Sequence, residues 1–157
     1  MDPYKDIIAG CVKGQRIAQE KLYEKFSGTL FAICLRYAKN RMEAEDILQE
    51  VFVKVYTHIH TYHFDGSFEG WLKRIAVNTS ITYYRKALKK QLERDIDDGI
   101  AQLPDAAFSF DGDFTMEDML KCIEALPLGY RTVFNMYCIE GYKHKEIAEL
   151  LKIDINT

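Results

Sequence analysis

The stretch with the richest set of reactive and binding side chains is Ser67–Lys90, which reads SFEGWLKRIAVNTSITYYRKALKK. At 3.6 residues per turn, one face of this stretch combines fixed positive charge, an amide and an aromatic ring. Its members are Arg74, Asn78, Ile81, Tyr84, Arg85 and Lys89. Lys and Arg neutralise phosphates, aromatic rings stack on unpaired bases, and an Asn amide pairs with a base edge. The pattern predicts a helix that binds single-stranded or partly melted nucleic acid; the alternative is an amphipathic helix with a solvated basic face.

A second candidate surface is a stripe of acids and an amide within the segment Ala44–Tyr56. The side chains that recur there at three-and-four spacing are Asp46, Gln49, Glu50 and Val53. Phe52 lies beside them and is predicted to be an exposed aromatic ring. Such a stripe is typical of a docking surface for a basic partner, and the alternative is an ordinary solvated helix face.

The charge of the chain is unevenly distributed. The 157 residues carry a net charge of −3, yet Trp71–Arg94 holds seven Lys or Arg against one acid. Asp95–Asp118 holds eight acids and neither Lys nor Arg. A mildly acidic chain with one basic block indicates a localised site for a polyanion.

Several classes of function are not supported by the sequence. The cysteines form no CxxC pair, and no Cys or carboxylate pair completes a metal site with His58, His60 and His63, so neither a metal nor a cofactor is predicted. The chain shows no nucleophile–base pair and no phosphate loop, which indicates neither an enzyme nor a small-molecule substrate. No apolar run is long enough to span a bilayer, and Met1 is followed by charged residues, so we expect a cytoplasmic protein without direct membrane insertion.

The elements that must position these residues are all predicted to be helices. Two apolar helices are expected at 17–26 and 30–38, separated by a break or kink at Ser27–Gly28. Asn40 followed by Glu43, and Thr115 followed by Asp118, have the form of helix starts in which a side chain caps the first turn.

The helices are expected to form two small domains. Residues 1–94 form the first, an acidic linker covers 95–114, and residues 115–157 form the second. The second domain ends in a helix starting at His144 or Lys145 that fits the first half of a helix-turn-helix. The chain ends where the second, DNA-reading helix should begin, so this sequence is expected to be truncated.

Two separated motifs resemble one protein family. AEDILQEVFVKVY followed by SFEGWLKRIAVNTSITYYRK resembles region 2 of bacterial sigma factors of the sigma-70 family. The tail LPLGYRTVFNMYCIEGYKHKEIAELLKI resembles the first part of region 4, and the short two-domain form resembles the extracytoplasmic-function (ECF) subgroup. The resemblance covers nearly the whole chain apart from the acidic linker. It implies a promoter-specificity subunit that binds core RNA polymerase and promoter DNA, with an anti-sigma factor as the usual further partner of the subgroup.

The resemblance also implies roles for individual residues. The motif that docks on the coiled coil of the polymerase's largest subunit matches Asp46, Gln49, Glu50 and Phe52. The Tyr62–Ser67 loop and Asn78 match the part of region 2 that captures a flipped base of the minus-10 element. The residues implied to contact DNA are Phe64, Asp65, Ser67, Trp71, Lys73, Arg74, Asn78, Tyr84, Arg85, Lys86 and Lys89.

The sequence departs from the family in its C-terminal region. Lys152 stands where the family's turn often has Gly, and we expect it to cost about 1 kcal/mol in a left-handed backbone. Without the second helix, reading of the minus-35 element is expected to be lost. Two alternatives stay open at this point, namely a stand-alone helix-turn-helix regulator that binds duplex DNA and a helical interaction module whose basic face is incidental.

Overall fold

The computed structural model describes residues 3–98, 112 and 115–154, and for Lys89 and residues 91–98 it describes the backbone alone. Every regular element in these ranges is a helix, which confirms the prediction of an all-α fold. In chain order the elements are α1 (Lys5–Val12), α2 (Arg16–Tyr37), α3 (Arg41–His58), a 3-10 turn (Ile59–Thr61), α4 (Phe68–Asp98), α5 (Met116–Ala125), α6 (Leu128–Phe134), a π-helical segment (Asn135–Ile139) and α7 (His144–Leu151).

The chain divides into two compact units, Met1–Tyr84 and Arg85–Thr157, and the division falls inside α4. Helix α4 continues through Asp98, four residues into the predicted linker. Of the remaining predicted linker, residues 99–111, 113 and 114 lie outside the described part of the chain. The domain bounds at 94 and 115 therefore stay a prediction.

Helix α2 is continuous, and the predicted break at Ser27–Gly28 is wrong. A glycine in a helix interior costs about 1 kcal/mol relative to alanine, which is a weak local signal. The buried side chains of α2 keep their spacing of three or four residues on both sides of Gly28, so packing against the core holds the helix together. They are Ala18, Leu22, Phe26, Leu30, Ile33, Cys34 and Tyr37.

Helix α1 packs closely against α2. A Cβ atom added to Gly10 would lie 2.5 Å from the Cβ of Ala18, so only glycine allows this approach. The sequence predicts a helix end at Gly14, because glycine tolerates positive φ. Gly14 has a φ of +68° after the end of α1, and the Gln15 N–H donates to the carbonyl of Gly10 at 2.9 Å. This close contact places the residues that precede α1 beside the start of α4.

The predicted helix starts are confirmed. The side chain of Asn40 accepts a hydrogen bond from the Glu43 N–H at 2.8 Å and begins α3. The Thr115 hydroxyl accepts from the Asp118 N–H at 3.2 Å, and the Asp118 carboxylate accepts in return from the Thr115 N–H at 3.0 Å. Hydrogen bonds from Thr115 hold the pKa of Asp118 below its ordinary value, because they favour the ionised carboxylate.

The second unit has a small core of its own. Met136, Ile147 and Leu151 are buried there. The helical pattern of the sequence predicts that Met119 and Leu120 of α5 face inward, but these side chains are 37% and 51% exposed. Helix α5 buries none of its residues fully against the described part of the chain, so helical phase alone could not show which of its faces is covered.

Lys152 ends α7 in the left-handed conformation, with φ 56° and ψ 44°, at the position where the sequence indicated a strained turn. Glycine would remove the Cβ crowding, worth about 1–2 kcal/mol, at the cost of greater freedom in the unfolded chain. We therefore expect Lys152→Gly to raise the free energy of unfolding by about 0.5–1 kcal/mol in urea denaturation. Lys143→Gly is the matched control, because Lys143 has an ordinary extended backbone. If Lys152→Gly lowered the free energy of unfolding, the result would contradict the prediction that the backbone at Lys152 is strained.

Candidate functional site

The stripe on α3, here called the acidic stripe, consists of Asp46, Gln49 and Glu50. Asp46 and Gln49 are exposed, and Glu50 is half-buried. Met42 and Val53 bracket the stripe with side chains 71% and 64% exposed. Along the chain, successive members of this set of five are four, three, one and three residues apart. This spacing keeps all five on one side of the helix. Carboxylates and an amide framed by exposed apolar groups suit a partner helix that offers both basic and apolar side chains.

Phe52 is not part of that exposed surface, and the prediction of an exposed aromatic ring is wrong. Its side chain is only 4% exposed, with ring centroids 4.7 Å from Tyr23 and 5.9 Å from Tyr56. Phe52 lies one helical turn after the buried Leu48, which places it at the inner edge of the helix. Phe52 therefore helps to hold α3 against α2.

Lys54 connects the acidic stripe to α4. Its Nζ lies 3.1 Å from the Glu50 Oε1 and donates to the Thr79 Oγ1 at 3.3 Å. Thr79 is 1% exposed and is the residue that follows Asn78 in the chain. One ammonium group thus contacts the stripe and the helix that carries the candidate base-reading amide.

Tyr83 is a residue of this surface that the sequence did not reveal. Burial raises the pKa of its phenol, and the negative charges of Glu43, Asp46 and Glu50 raise it further. The phenol therefore stays protonated beside the stripe and can act as a hydrogen-bond donor there. Tyr83 lies one turn after Thr79, and the helical pattern of the sequence predicts that Thr79 belongs to the inner face of α4.

The loop between the 3-10 turn and α4 has a fixed shape. The Tyr62 hydroxyl donates to the carbonyl of Gly66 at 2.6 Å and closes the loop on itself. Serine is a favoured residue at a helix start, so the sequence predicts that Ser67 caps α4, and its Oγ accepts a hydrogen bond from the Gly70 N–H at 3.3 Å. At the tip, Phe64 has a φ of +60° and is 49% exposed, and Asp65 is exposed beside it. A bulky residue in this backbone region is strained, and such strain is concentrated at functional sites.

Helix α4 presents an exposed basic and amide surface as predicted. Arg74, Asn78 and Lys86 are exposed. Lys73 is also exposed, but its Nζ lies 2.9 Å from the carboxylate of Glu69, which offsets its charge. Arg74 and Lys86 therefore offer the more available positive charges for phosphates on this helix.

Tyr84 does not belong to that surface, and its predicted role as an exposed ring is wrong. Tyr84 is 6% exposed and Ile81 is 3% exposed. Together with Val77 they form a second buried row, so the covered face of α4 is wider than the row Phe68, Leu72, Ala76 and Thr79 alone. Burial raises the pKa of the Tyr84 phenol, in keeping with an internal position.

Three further residues that the sequence predicts to contact DNA differ in their surroundings. Trp71 is half-buried and its ring is stacked on Phe68, with centroids 5.8 Å apart and planes 15° apart. Within the second unit, Arg85 donates from Nη1 to the carbonyl of Leu150 at 2.9 Å. The side chain of Lys89 lies outside the described part of the structure. Of these three, only Trp71 lies close to the loop.

The loop and Asn78 are separated along α4. Asn78 follows Phe68 by ten residues, which at 1.5 Å per residue is about 15 Å. Stacked nucleotides rise about 3.4 Å each along a strand, so this distance spans several nucleotides. The start of α4 beside the loop and Asn78 are therefore about three helical turns apart.

A cavity lies against the loop on the side where α1 begins. It has a volume of about 550 Å³, and Tyr4, Lys5, Phe64 and Ser67 are among the residues that line it. Sequence patterns do not show that Tyr4 and Lys5 lie beside the loop, because more than sixty residues separate them from Ser67.

Two family models match the chain. Sigma-70 region 2 matches residues 22–90, which include the acidic stripe, the loop and the exposed surface of α4. Sigma-70 region 4 matches residues 116–157, which include α5, α6 and α7.

Known proteins match over almost the full length. The ECF RNA polymerase sigma factor SigW of Bacillus subtilis is 30% identical, and the match covers 92% of this chain and 83% of SigW. This chain belongs to the ECF sigma factor family. The RNA polymerase sigma-H factor of Pseudomonas aeruginosa is 26% identical over 98% of this chain and 84% of that protein. The solved structure of CnrH in complex with the cytosolic domain of CnrY covers 99% of this chain and 86% of that one, with a TM-score of 0.52 and 20% identity, and shows the same fold.

Sigma factors are DNA-binding proteins of transcription initiation, so the family accounts for a basic, amide-bearing surface. In the ranges 3–98, 112 and 115–154, no three His, Cys, Asp or Glu side chains converge as metal ligands, and His58, His60 and His63 are each exposed. None of the helices in those ranges is both long and apolar enough to cross a bilayer.

Proposed function

We propose that this ECF sigma factor binds core RNA polymerase through the acidic stripe and reads the minus-10 element through the loop and Asn78. The observation that carries the proposal is the presence of both surfaces within Met1–Tyr84, linked by Lys54. The stripe supplies negative charge and an amide to a basic helix of the polymerase. Asn78 and the loop tip supply the polar and aromatic groups that an unpaired strand requires.

The protein's part in transcription is binding rather than catalysis. Extruding a base from a duplex costs a few kcal/mol in lost stacking, and a protein offsets that cost with contacts to the extruded base. The side chains at the loop and on α4 are suited to such contacts, so we place the contribution to promoter melting there. The acting partners are core polymerase and promoter DNA, in the cytoplasm, without a cofactor or a small-molecule substrate.

An anti-sigma factor is the further partner that we propose. Its support is that CnrH, whose fold this chain shares, has been solved with a bound protein, the cytosolic domain of CnrY. A stand-alone regulator is less well supported, because the region 2 match at residues 22–90 covers a part of the chain that a duplex-reading helix-turn-helix does not need.

Asn78→Ala tests the base-reading role. Loss of an amide that pairs with a base edge should reduce discrimination at one position by about 1–3 kcal/mol, or roughly 5- to 150-fold. The measurement is binding of the complex with core polymerase to a fluorescent library of single-stranded minus-10 sequences. Arg74→Met is the matched variant, since loss of a phosphate contact should weaken all sequences alike and lower the salt dependence.

Two outcomes contradict the proposal. If the purified, folded protein does not bind core polymerase, the chain does not act as proposed. If Asn78→Ala and Arg74→Met weaken all sequences equally, Asn78 does not read a base.

A further inference from the structure

We propose that Lys54 is a phosphate contact that becomes available only when polymerase is bound. In the chain alone Glu50 neutralises the ammonium group of Lys54, and a basic polymerase helix that pairs with Glu50 releases this group to a strand that passes Asn78. This inference rests on the proposed function and deepens it, because it adds a residue of α3 to the DNA-binding surface of α4. The DNA contacts that the sequence predicts include no residue of α3.

The ammonium group of Lys54 lies between the two helices. Its Nζ is 3.1 Å from the Glu50 Oε1, and it donates a hydrogen bond to the Thr79 Oγ1 at 3.3 Å. Thr79 directly follows Asn78 in α4. The side chains of Lys54 and Glu50 are 36% and 38% exposed, so a partner can reach the pair from solvent. Lys54 therefore holds a positive charge beside the turn of α4 that carries Asn78.

The two contacts of Lys54 differ in their effect on its charge. The Glu50 carboxylate offsets the positive charge, whereas the Thr79 hydroxyl holds the ammonium group without neutralising it. A cation of a bound polymerase helix competes with Lys54 for the Glu50 carboxylate, because two positive charges at one carboxylate repel each other. Thr79 is 1% exposed and is fixed in the packing of α4. Loss of the Glu50 contact therefore leaves a positive charge that is still held against α4.

The acidic charges of α3 also act on α4. Burial raises the pKa of the Tyr83 phenol, and carboxylates of α3 raise it further. These carboxylates are Glu43, Asp46 and Glu50. Their negative potential therefore extends over α4, where it repels the phosphates of a strand. A basic partner that pairs with these acids removes the repulsion and releases Lys54 in the same step.

Glu50→Gln tests the release without polymerase. Glutamine has nearly the same size as glutamate but no charge, so Lys54 keeps its contact with Thr79 and is no longer neutralised. The chain alone should then bind a single-stranded minus-10 sequence about fivefold more tightly at low salt. The slope of log affinity against log salt should steepen by about 0.7, the value for one added phosphate contact on a single strand. In the double variant Glu50→Gln with Lys54→Met, the slope should equal that of the parent.

Lys54→Met tests the contact in the complex with core polymerase. There it should weaken binding of every strand and reduce the salt slope by about 0.7, while the base preference stays that of the parent. In the chain alone the same substitution should leave the slope unchanged, because Glu50 already neutralises the ammonium group. Fluorescence anisotropy of a labelled strand at several salt concentrations measures both states, with the complexes formed at saturating polymerase.

The matched control is the pair Glu117 and Lys121. These residues are also four positions apart, and the Lys121 Nζ lies 3.3 Å from the Glu117 Oε1, but the pair belongs to α5 of the second unit. Glu117→Gln and Lys121→Met should leave the slope unchanged in both states. All of these variants should unfold at a urea concentration close to that of the parent, because a partly exposed ion pair contributes little to stability.

The inference is overturned if Lys54→Met leaves the salt slope of the polymerase complex unchanged, or if the double variant keeps the full gain of Glu50→Gln. If Asn78→Ala still alters base preference in either case, the proposed function stands and only the role of Lys54 is lost. If the polymerase complex binds no strand of the minus-10 library, the proposed function fails and this inference fails with it.

Discussion

Replacement of Asp46, Gln49 and Glu50 by alanine is expected to weaken binding of core RNA polymerase about 100-fold. Each residue presents a polar group on the same side of α3, and a contact of this kind is worth about 1 kcal/mol. Three such contacts amount to about 3 kcal/mol, which corresponds to roughly two orders of magnitude in the dissociation constant. Titration of the labelled protein with core polymerase measures the change directly.

The control for this triple variant must remove the same number of negative charges from a surface outside the acidic stripe. Glu20→Ala with Glu117→Ala removes two exposed acids outside the stripe, and their ion pairs with Arg16 and Lys121 are exposed and contribute little. This control should bind polymerase within about twofold of the parent. Equal weakening by the two variants would show that total charge, and not the acidic stripe, governs the association.

Phe68→Ala is expected to have the largest effect on stability, a loss of about 3–5 kcal/mol in the free energy of unfolding. Phe68 is 1% exposed and stands at the centre of an aromatic cluster. Its ring contacts are Tyr4, Phe26, Tyr62 and Trp71. Truncation would leave a cavity beneath both the loop and the start of α1.

Urea denaturation followed by far-UV circular dichroism measures this loss. Met42→Ala is the control, because Met42 is 71% exposed and its truncation should change the free energy of unfolding by less than about 0.5 kcal/mol. A loss below about 1 kcal/mol in Phe68→Ala would contradict the central position of this ring in the core.

Helix starts and ends that depend on neighbouring residues alone could be predicted from the sequence. The helix starts at Asn40 and Thr115 depend on residues only three positions apart, and the structure contains both hydrogen bonds. The end of α1 at Gly14 depends on a single residue that tolerates positive φ. Such features need no knowledge of the rest of the chain, which is why sequence alone predicts them.

Predictions that depended on tertiary packing were less reliable. Phe52 and Tyr84 sit at the edges of helix faces, and a ring at an edge is buried or exposed according to what the neighbouring helix offers. At Gly28 the weak helix propensity of glycine was outweighed by the continuous buried face of α2. The contact of Tyr4 with Phe68, and the effect of the acidic charges of α3 on the pKa of Tyr83, join positions far apart in the chain, so spacing within one helix does not show these partners.

The hydrogen bond from Tyr62 to the carbonyl of Gly66 lets the side chains at the tip of the loop change without loss of its closed shape. The closing bond uses a side chain at one end of the loop and a backbone carbonyl at the other, so it does not depend on the identity of the residues between them. His63, Phe64 and Asp65 can therefore be exchanged while the closure and the buried rings below it remain. Substitutions at these three positions are therefore compatible with unchanged packing of the helices on either side of the loop.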